Sequence, residues 1–252
     1  MNLEEVKTLK PAMKGTDVDR LPMPATIQAK ADGEFSVIVF NGSDCSTLNL
    51  WGRIRTGIKA TDEMALALSK MGLKDALMLG ELYAVKDGRP QRLPYFNAHK
   101  EDPSLNLGVF DILRPTAHPY PEKLFEVEEW LRGLTYAHVL PFTYATGSDQ
   151  VRAFYQKALE DGYEGVVARR NSETFKIKPV KDVDCVVIGV NKKPLLKNEM
   201  VTSLKLAVMD INGTLIELGD VASGIERELR KSLYNLLKYR VGEDKETIFI
   251  KP

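Results

Sequence analysis

The sequence predicts an α+β protein in which a larger domain built on antiparallel strands precedes a smaller domain of short strands. Three observations lead to this prediction. The chain has 252 residues, which is enough for two domains, and its 44% hydrophobic and 28% charged content is ordinary for a globular protein. Strand-like and helix-like segments are mixed up to Asp182, and short strands with one helix follow. We therefore expect domains over residues 1–182 and 183–252.

In the first domain, hydrophobic spacing and turn residues define the elements. Residues 1–24 contain three prolines and little periodicity, so we expect an extended segment there, without a domain of its own. Strands joined by the Asn41–Asp44 turn should form an antiparallel sheet with helices beside it. Strands are predicted at 35–40, 47–54, 77–85, 107–113, 165–169 and 174–178, and helices at 61–72, 122–134 and 148–162.

The second domain has a different pattern. Short apolar segments predict strands, Asn212-Gly213 is a hairpin signal, and one amphipathic helix follows them. The strands are predicted at 185–190, 203–209, 214–218 and 247–251, and the helix at 226–239. This order suits a small β-barrel of the oligonucleotide-binding (OB) type, although about 70 residues is short for one that carries a helix. We expect the barrel to be incomplete at its C-terminal end.

Composition argues against several classes of protein. Cys45 and Cys185 lie far apart, and the three histidines lack ligand spacing, so disulfides, thiolate metal sites and zinc chemistry are not expected. No apolar run is long enough to cross a bilayer, and no signal segment is visible at the start. We expect a cytoplasmic protein without membrane association.

Charge is balanced over the whole chain but not along it. The formal net charge is zero, which gives no global attraction to nucleic acid. Residues 169–205 nevertheless contain nine Lys or Arg against four Asp or Glu. Such a segment can follow a phosphate backbone, and on charge alone a solvated face is an equal alternative.

Lys30 is the first candidate for chemistry. It follows an apolar segment and precedes Ala31, Asp32 and Gly33. A free lysine has a pKa of roughly 10.4, so it becomes a nucleophile only where desolvation, other cations or a metal favour the neutral amine. A lysine activated in this way attacks phosphorus or a carbonyl carbon. The alternative is an ordinary turn, which this short string alone favours.

Further charged residues lie inside or at the ends of apolar strands. Charges there cost free energy unless a partner or a ligand compensates them. They are Glu81, Asp111, Glu164, Lys176 and Lys178, of which the last two share one face of a strand. We expect two carboxylates and two or three lysines to converge on one sheet as a phosphate and divalent-metal site. Taken singly, each could equally be a salt-bridged or solvated strand residue.

Together, in this order and spacing, the motifs resemble those of the covalent nucleotidyltransferases, which comprise ATP-dependent DNA ligases, RNA ligases and mRNA capping enzymes. The motifs are Lys30-Ala31-Asp32-Gly33, Arg55-Thr56-Gly57, Gly80-Glu81, Phe110-Asp111, Glu164-Gly165-Val166-Val167 and Lys176-Ile177-Lys178. The segments that begin at Asp184, Ser203 and Leu218 resemble the barrel of cellular-type ATP-dependent DNA ligases more than that of capping enzymes. The resemblance implies an ATP-grasp-like nucleotidyltransferase domain followed by an OB-type domain.

The resemblance also implies roles for the cationic residues. Lys30 would attack the α-phosphate of ATP and hold AMP through a phosphoramidate bond, while Asp32 would orient the site. Lys176 and Lys178 would grip the α-phosphate, and Arg55 would bind the ribose or the nick phosphate. The lysine and phosphate chemistry fits the electrostatics of phosphoryl transfer.

For the base and the metal, the resemblance implies a second set of residues. Phe110 would stack on adenine, and Gln28 would lie beside the edge of the base. Glu81 would contact the ribose or a metal ion, and Glu164 would serve the metal ion, which is Mg²⁺ or Mn²⁺. All four residue types suit these tasks chemically.

The implied activity is the sealing of nicks in duplex DNA, in replication, repair or recombination. A monomer would contact the DNA backbone without reading sequence. The alternatives are an RNA ligase of the same superfamily and a chain that binds nicked DNA or nucleotide without full turnover. Guanylyl transfer to RNA ends is least favoured.

Two features depart from the family pattern. The family usually has Arg two residues after the motif glycine, where this chain has Phe35, so the contact of that Arg with the ribose or nick phosphate is not expected here. No Arg-x-Asp-Lys string precedes Pro252, although the family barrel continues to a basic motif that orients the β- and γ-phosphates. We expect a truncated chain, slow adenylation, or orientation of the pyrophosphate by other groups. Sealing of a pre-adenylated nick should then survive better than reaction with ATP.

Overall fold

The computed structural model describes residues 3–91, 105–116, 118–180, 182–191, 200–244 and 247–251. The chain divides into two compact units, Met1–Pro179 and Val180–Pro252. Both contain helices and predominantly antiparallel sheets, so the α+β class predicted from sequence is confirmed. None of the helices in these ranges is long and apolar enough to span a membrane.

The first unit alternates strands and helices along most of its length. Its elements are α1 (Leu3–Leu9), β1 (Lys14–Gly15), β2 (Ala25–Lys30), β3 (Glu34–Phe40), β4 (Cys45–Asn49), β5 (Ile54–Arg55), α2 (Lys59–Lys70), β6 (Ala76–Lys86), β7 (Arg89–Gln91), β8 (Leu105–Arg114), α3 (Glu122–Trp130), β9 (Ala137–Val139), β10 (Phe142–Ala145), α4 (Ser148–Glu160), β11 (Gly165–Arg170) and β12 (Glu173–Ile177). The predicted strands and helices of this unit are confirmed, with ends that differ by a few residues. The predicted strand 47–54 is split between β4 and β5.

These strands form two sheets. One has five strands in the order β1-β12-β11-β2-β10, and the other has seven, with β5-β4-β3-β6-β8-β9 as the main path and β7 paired to β6. Described pairs are antiparallel except β1 with β12 and β8 with β9. The prediction that the charged motifs converge on one sheet is therefore wrong. Lys30 ends a strand of the five-stranded sheet, and Glu81 lies in the seven-stranded sheet.

Hydrophobic packing buries both faces of the seven-stranded sheet. In β3, Ile38 faces a core with α2 and α3, while Val37 faces a second core that contains Tyr83 and Phe110. Because both faces of β3 are buried, its sequence is mostly apolar and does not alternate between apolar and polar residues. Each large aliphatic side chain buried there contributes about 1.5–3 kcal/mol to stability. A third core packs α4 on the five-stranded sheet through residues such as Val151.

The N-terminal segment differs from its prediction. Residues 1–24 were expected to be extended, but α1 and β1 form within them. Glu4 and Glu5 lie in the first turn of α1 and Lys7 in its last, which suits the helix dipole. Val6 is fully buried and anchors this helix. Leu9 of α1 packs against the same core, but a seven-residue helix is too short for a clear periodic signal.

Besides β1, four strands of the first unit were not predicted as strands: β2, β7, β9 and β10. In β2 the buried residues include Thr26 and Gln28, which interrupt the apolar pattern. Strands β9 and β10 have three and four residues, and short strands give little periodicity to detect.

In its described residues, the second unit contains a five-stranded antiparallel sheet and one α-helix. Its elements are β13 (Val186–Asn191), β14 (Leu204–Met209), β15 (Leu215–Val221), α5 (Arg227–Tyr234), a 3₁₀ helix (Asn235–Tyr239), β16 (Arg240–Glu243) and β17 (Thr247–Ile250). The predicted strands and helix of this region are confirmed, and β16 is an addition. The strand order is β15-β14-β13-β17-β16, an open path in which the described end strands do not pair. The OB-type barrel therefore stays a prediction.

Candidate active site

A cavity of about 590 Å³ opens in the first unit, and we call it the central cavity. Side chains from both sheets and from the N-terminal segment line it. They are Lys10, Pro11, Met13, Lys30, Gly33, Glu34, Phe35, Leu50, Trp51, Arg55, Glu81, Phe110, Lys176 and Lys178. Five of these residues are cationic and two are carboxylic acids. A concave site with this excess of positive charge suits a polyphosphate.

Lys30, Glu164 and Lys178 form an ion-pair network at the wall of the cavity. Strand β2 pairs with β11, so Lys30 at the end of β2 lies beside Glu164, whose backbone N–H donates to the Lys30 carbonyl oxygen at 2.8 Å. One Glu164 carboxylate oxygen contacts the Lys30 Nζ, and the other contacts the Lys178 Nζ. The Lys30 and Glu164 side chains are only 19% and 15% exposed. Burial raises the pKa of Glu164, but hydrogen bonds from Lys178 and Lys30 outweigh it and hold that pKa below its ordinary value.

Lys176 and Lys178 both line the central cavity, so the predicted shared face of that strand is confirmed. Lys176 lies in β12, and Lys178 follows the end of that strand. Glu164 neutralises Lys178, whereas Lys176 has no carboxylate within 4.0 Å in the described part of the chain.

Glu81 enters the cavity from β6. Its Oε1 accepts a hydrogen bond from the Gly33 backbone N–H at 3.2 Å. Burial raises the pKa of Glu81 to about 7, against the opposing charge of Lys30 and the Gly33 hydrogen bond. At neutral pH this carboxyl is therefore only partly ionised.

A small recess continues from the central cavity, and a hydrogen-bond network closes it. Arg169 Nη1 donates to Gln28 Oε1 and to the Tyr120 hydroxyl, both at 2.7 Å. Gln28 Nε2 donates to the Leu140 carbonyl oxygen at 3.2 Å. The Arg169 guanidinium lies 5.3 Å from the centroid of the Phe110 ring. The recess thus combines an aromatic face with an amide of fixed orientation, since arginine can only donate.

Arg55 is held by Glu34 through two nitrogens. Its Nε and Nη2 donate to Glu34 Oε2 and Oε1 at 2.9 and 2.6 Å. Asn49 Nδ2 also donates to Glu34 Oε1 at 2.9 Å. The side chains of Arg55 and Glu34 are 16% and 20% exposed, so this bidentate pair is rigid and mostly dry. Phe35 is buried beside Phe110, with their ring centroids 6.2 Å apart.

Three predicted acids do not line the central cavity: Asp32, Asp111 and Glu164, which contacts the cavity residues Lys30 and Lys178. Asp32 lines a separate cavity of about 250 Å³, together with Glu164 and Tyr163. Asp111 forms an ion pair with Lys123, which follows the first residue of α3. The charge of Asp111, which the sequence marks as costly inside an apolar strand, is therefore compensated by Lys123.

The donor set does not fit a divalent ion held mainly by protein. No group of three or more His, Cys, Asp or Glu converges among the residues that the structure describes. Glu164 is compensated by two lysines, and Glu81 is only partly ionised near neutral pH. Mg²⁺ is usually bound by one or two carboxylates together with waters and substrate phosphates. The metal role predicted for Glu81 and Glu164 stays a prediction.

Sequence reasoning missed several residues of the site. Glu34, Tyr120, Arg169 and Lys10 carry charge or polarity into the cavity or its recess. Arg169 had a usable signal, because it follows Val167 by two residues in β11 and so shares its face. Tyr120 and Lys10 lie in irregular segments, where no periodicity points to a site.

Relatives of the chain are recognisable in sequence, although no protein-family model matches it. A DNA ligase of Methanocorpusculum labreanum is 25% identical over 266 residues, which cover 96% of this chain and 48% of the relative. A DNA ligase of Methanoculleus marisnigri is 32% identical over 189 residues, which cover 66% of this chain and 34% of the relative. By sequence, the chain is similar to these DNA ligases. It spans about half or less of the length of these curated relatives.

Solved DNA ligases share its fold. The chain named Pmar-Lig_Pre has a TM-score of 0.71 at 16% identity, over 90% of this chain and 59% of that one. A Lig E DNA ligase, described as binding DNA with a minimal scaffold, has a TM-score of 0.60 at 14% identity. The match covers 89% of this chain and 88% of that one. A mycobacterial DNA ligase D complexed with ATP and MES has a TM-score of 0.51 at 18% identity. The match covers 98% of this chain and 87% of that one. Sequence similarity thus links the chain to DNA ligases, and these structures add the likeness of fold.

Proposed function

We propose that this chain is an ATP-dependent ligase that seals nicks in duplex DNA through a covalent AMP adduct on Lys30. The observation that carries the proposal is the mostly buried Lys30 amine, fixed by Glu164 at the wall of a cation-rich cavity. The DNA ligases of the two archaeal relatives support the substrate class. ATP as donor is supported by the ligase D neighbour, which was solved with ATP.

In the first step, the Lys30 ammonium loses one proton to solvent, its neutral Nζ attacks the α-phosphorus of ATP, and the nitrogen releases a second proton to solvent as the phosphoramidate forms. The N–P bond forms, the bond from the α-phosphorus to the bridging oxygen breaks, and pyrophosphate leaves. Lys178 and Lys176 stabilise the charge that develops on the phosphoryl oxygens. Glu164 holds the amine in line, which is the positioning that such a reaction needs.

Two further transfers complete the reaction. A 5′-phosphate oxygen at the nick attacks the AMP phosphorus, the P–N bond breaks, and Lys30 recovers its protons. The 3′-hydroxyl then loses its proton and attacks the activated 5′-phosphorus, which releases AMP and forms the phosphodiester. The same cations serve all three steps, because each passes through a charged phosphoryl centre.

The nucleotide base occupies the recess in this proposal. Adenine stacks on Phe110, and Gln28 lies at its edge, fixed by Arg169 and Tyr120. Arg55, already held by Glu34, faces the ribose or the nick phosphate at the mouth of the cavity. Mg²⁺ entering with ATP would be held chiefly by the phosphates, and Glu81 and Glu164 are the carboxylates that would serve it.

The units correspond to two functions in this proposal. Residues 1–182, which include the whole first unit, form the nucleotidyltransferase domain, and residues 183–252 form an OB-type domain that contacts the DNA backbone without reading sequence. Net charge near zero then makes local basic segments responsible for DNA binding. The protein acts as a monomer.

Nick sealing tests the proposal directly. A duplex with one 5′-phosphorylated nick is incubated with ATP and Mg²⁺, and sealed strands are separated by denaturing electrophoresis. We expect sealing that needs ATP and works with deoxyribonucleotide on both sides of the nick. Sealing only when the 3′ side is ribonucleotide would instead favour an RNA ligase. Binding of the nick without sealing, including a pre-adenylated nick, would favour a binding protein.

A further inference from the structure

The N-terminal segment is fixed against the active site at two points. Val6 of α1 is fully buried in the core that contains Phe35 and Phe110. Further along, β1 pairs with β12 in parallel, with Gly15 opposite Lys176, and the Thr16 backbone N–H donates to the Lys176 carbonyl oxygen at 3.2 Å. Residues between these points, Lys10 among them, line the central cavity.

The cations of the cavity differ in whether a carboxylate compensates them. Lys30 and Lys178 share Glu164, and Arg55 is paired with Glu34. Lys10 and Lys176 have no carboxylate within 4.0 Å in the ranges that the structure covers. These two ammonium groups are therefore the ones whose charge is open to an anionic ligand.

The surroundings of Lys10 direct its charge into the cavity. Its Nζ lies 6.0 Å from the centroid of the Phe35 ring, and that ring is 5% exposed and lines the cavity. A cation over a ring is stabilised by about 0.5–1 kcal/mol at an exposed site, which orients the side chain without neutralising it. A phosphate oxygen would add a charge-assisted hydrogen bond that the protein itself does not supply.

We propose that Lys10 is a phosphate-binding residue, which the N-terminal segment supplies to the central cavity beside Lys176. This inference rests on the proposed function for its substrates. Two sources of phosphate in that reaction share the required chemistry, namely the β- and γ-phosphates of ATP and the 5′-phosphate of the nick. If Lys10 binds the β- and γ-phosphates of ATP, its loss impairs adenylation. If it binds the 5′-phosphate of the nick, its loss impairs sealing.

Lys14 offers a matched control on the same segment. Its Nζ also lies 6.0 Å from a phenylalanine ring, that of Phe175. Unlike Lys10, however, it is paired with Glu173 at 2.7 Å and does not line the central cavity. Each of Lys10→Ala and Lys14→Ala therefore removes an ammonium group that lies over a phenylalanine ring. Only Lys10→Ala removes a side chain that lines the central cavity.

The first measurement is calorimetric binding of ATP, adenosine and inorganic tripolyphosphate to the full chain. We expect Lys10→Ala to weaken ATP and tripolyphosphate binding about tenfold and to leave adenosine binding unchanged. Lys10→Arg should restore binding, and Lys14→Ala should match the parent. Equal affinities of Lys10→Ala and Lys14→Ala for both phosphate ligands, together with parent-like kinetics in the next test, would overturn the proposal.

The second measurement identifies the phosphate. Self-adenylation is followed against ATP concentration, and sealing by AMP-free protein is followed against the concentration of a pre-adenylated nick. A higher KM of Lys10→Ala for ATP alone assigns the β- and γ-phosphates, and a higher KM for the nick alone assigns the 5′-phosphate. If the parent forms no adduct but binds tripolyphosphate through Lys10, the proposed function fails and this inference stands.

Discussion

At the residue scale, the active site depends on the two contacts that the Glu164 carboxylate makes. One oxygen contacts Lys30 and the other contacts Lys178, so a single side chain positions the proposed nucleophile and a phosphate-binding cation. All three residues were predicted from the sequence, because charged residues at strand ends need partners or ligands. Their mutual contacts were not predictable, since they depend on the register of β2 with β11.

Glu164→Gln tests this positioning. The amide keeps the size of the side chain but cannot pair ionically with two ammonium groups, so Lys30 loses its fixed orientation. We expect adenylation to slow by about 100-fold, the scale associated with misplacement of a reacting group. Single-turnover transfer of labelled AMP from ATP to the protein measures the adenylation rate. Glu160→Gln, at the exposed end of α4, is the control, and parent-like transfer by Glu164→Gln would refute the role.

Glu81 provides a prediction about pH. Burial raises the pKa of Glu81 from 4.5 to about 7. Between pH 4.5 and pH 7, Glu81 is therefore protonated in the folded chain and ionised in the unfolded chain. The free energy of unfolding therefore falls as pH rises through this window, by at most about 3 kcal/mol. Glu81→Gln does not titrate, so we expect its stability relative to the parent to grow from pH 5 to pH 8.

Urea unfolding at both pH values measures this difference. Glu160→Gln serves again as the control, since this exposed position lacks the burial that shifts Glu81. A constant difference between Glu81→Gln and the parent across the window would contradict the assignment. It would mean that Glu81 is fully ionised in the folded protein throughout.

The aromatic and arginine part of the site shows where sequence reasoning stops. Phe110 and Gln28 were predicted through the family resemblance, but Tyr120 and Arg169, which hold Gln28, were not. Tyr120 lies between prolines in an irregular segment, so only the folded chain brings it to Gln28. Interactions between distant irregular segments leave no spacing pattern in the sequence.

At the element scale, the turn after β2 must pass very close to β6. A methyl group at Gly33 would lie 2.2 Å from the Leu82 carbonyl oxygen, so Gly33→Ala must displace backbone. We expect a loss of about 1–3 kcal/mol in the free energy of unfolding. Gly15→Ala is the control, because a methyl there meets nothing within 4 Å.

Chemical denaturation of both variants tests this close approach. Gly33→Ala should also slow adenylation, since Gly33 donates to Glu81 and follows Lys30 by three residues. Equal stability of Gly33→Ala and Gly15→Ala would contradict the observed packing of β3 against β6.

Elements with a strong period were predictable, and elements fixed by tertiary contacts were not. Strand β6 and helices α2 and α4 follow their apolar spacing closely. By contrast, α1 depends on the burial of Val6, and β2 carries polar side chains into the protein interior. In both cases tertiary packing decides the conformation, and local propensity gives little warning.

At the scale of the whole molecule, the two units differ in the size of their cores. Among the described residues, the core cluster of the second unit is built on Val190 and Val201 with partly buried neighbours, and strand β15 is largely exposed. The first unit has three larger cores. We expect β14 amides to exchange with deuterium at least about tenfold faster than β6 amides, because local opening costs less in a small core. Equal protection would contradict this account.

The central claim is that Lys30 carries AMP, and intact-protein mass spectrometry after incubation with ATP and Mg²⁺ tests it most directly. We expect the parent to gain the mass of one adenylyl group, located on the peptide that contains Lys30, and Lys30→Ala to gain none. Lys14→Ala should become adenylated as the parent does. No adduct in the parent, or an adduct that persists in Lys30→Ala, would contradict the account.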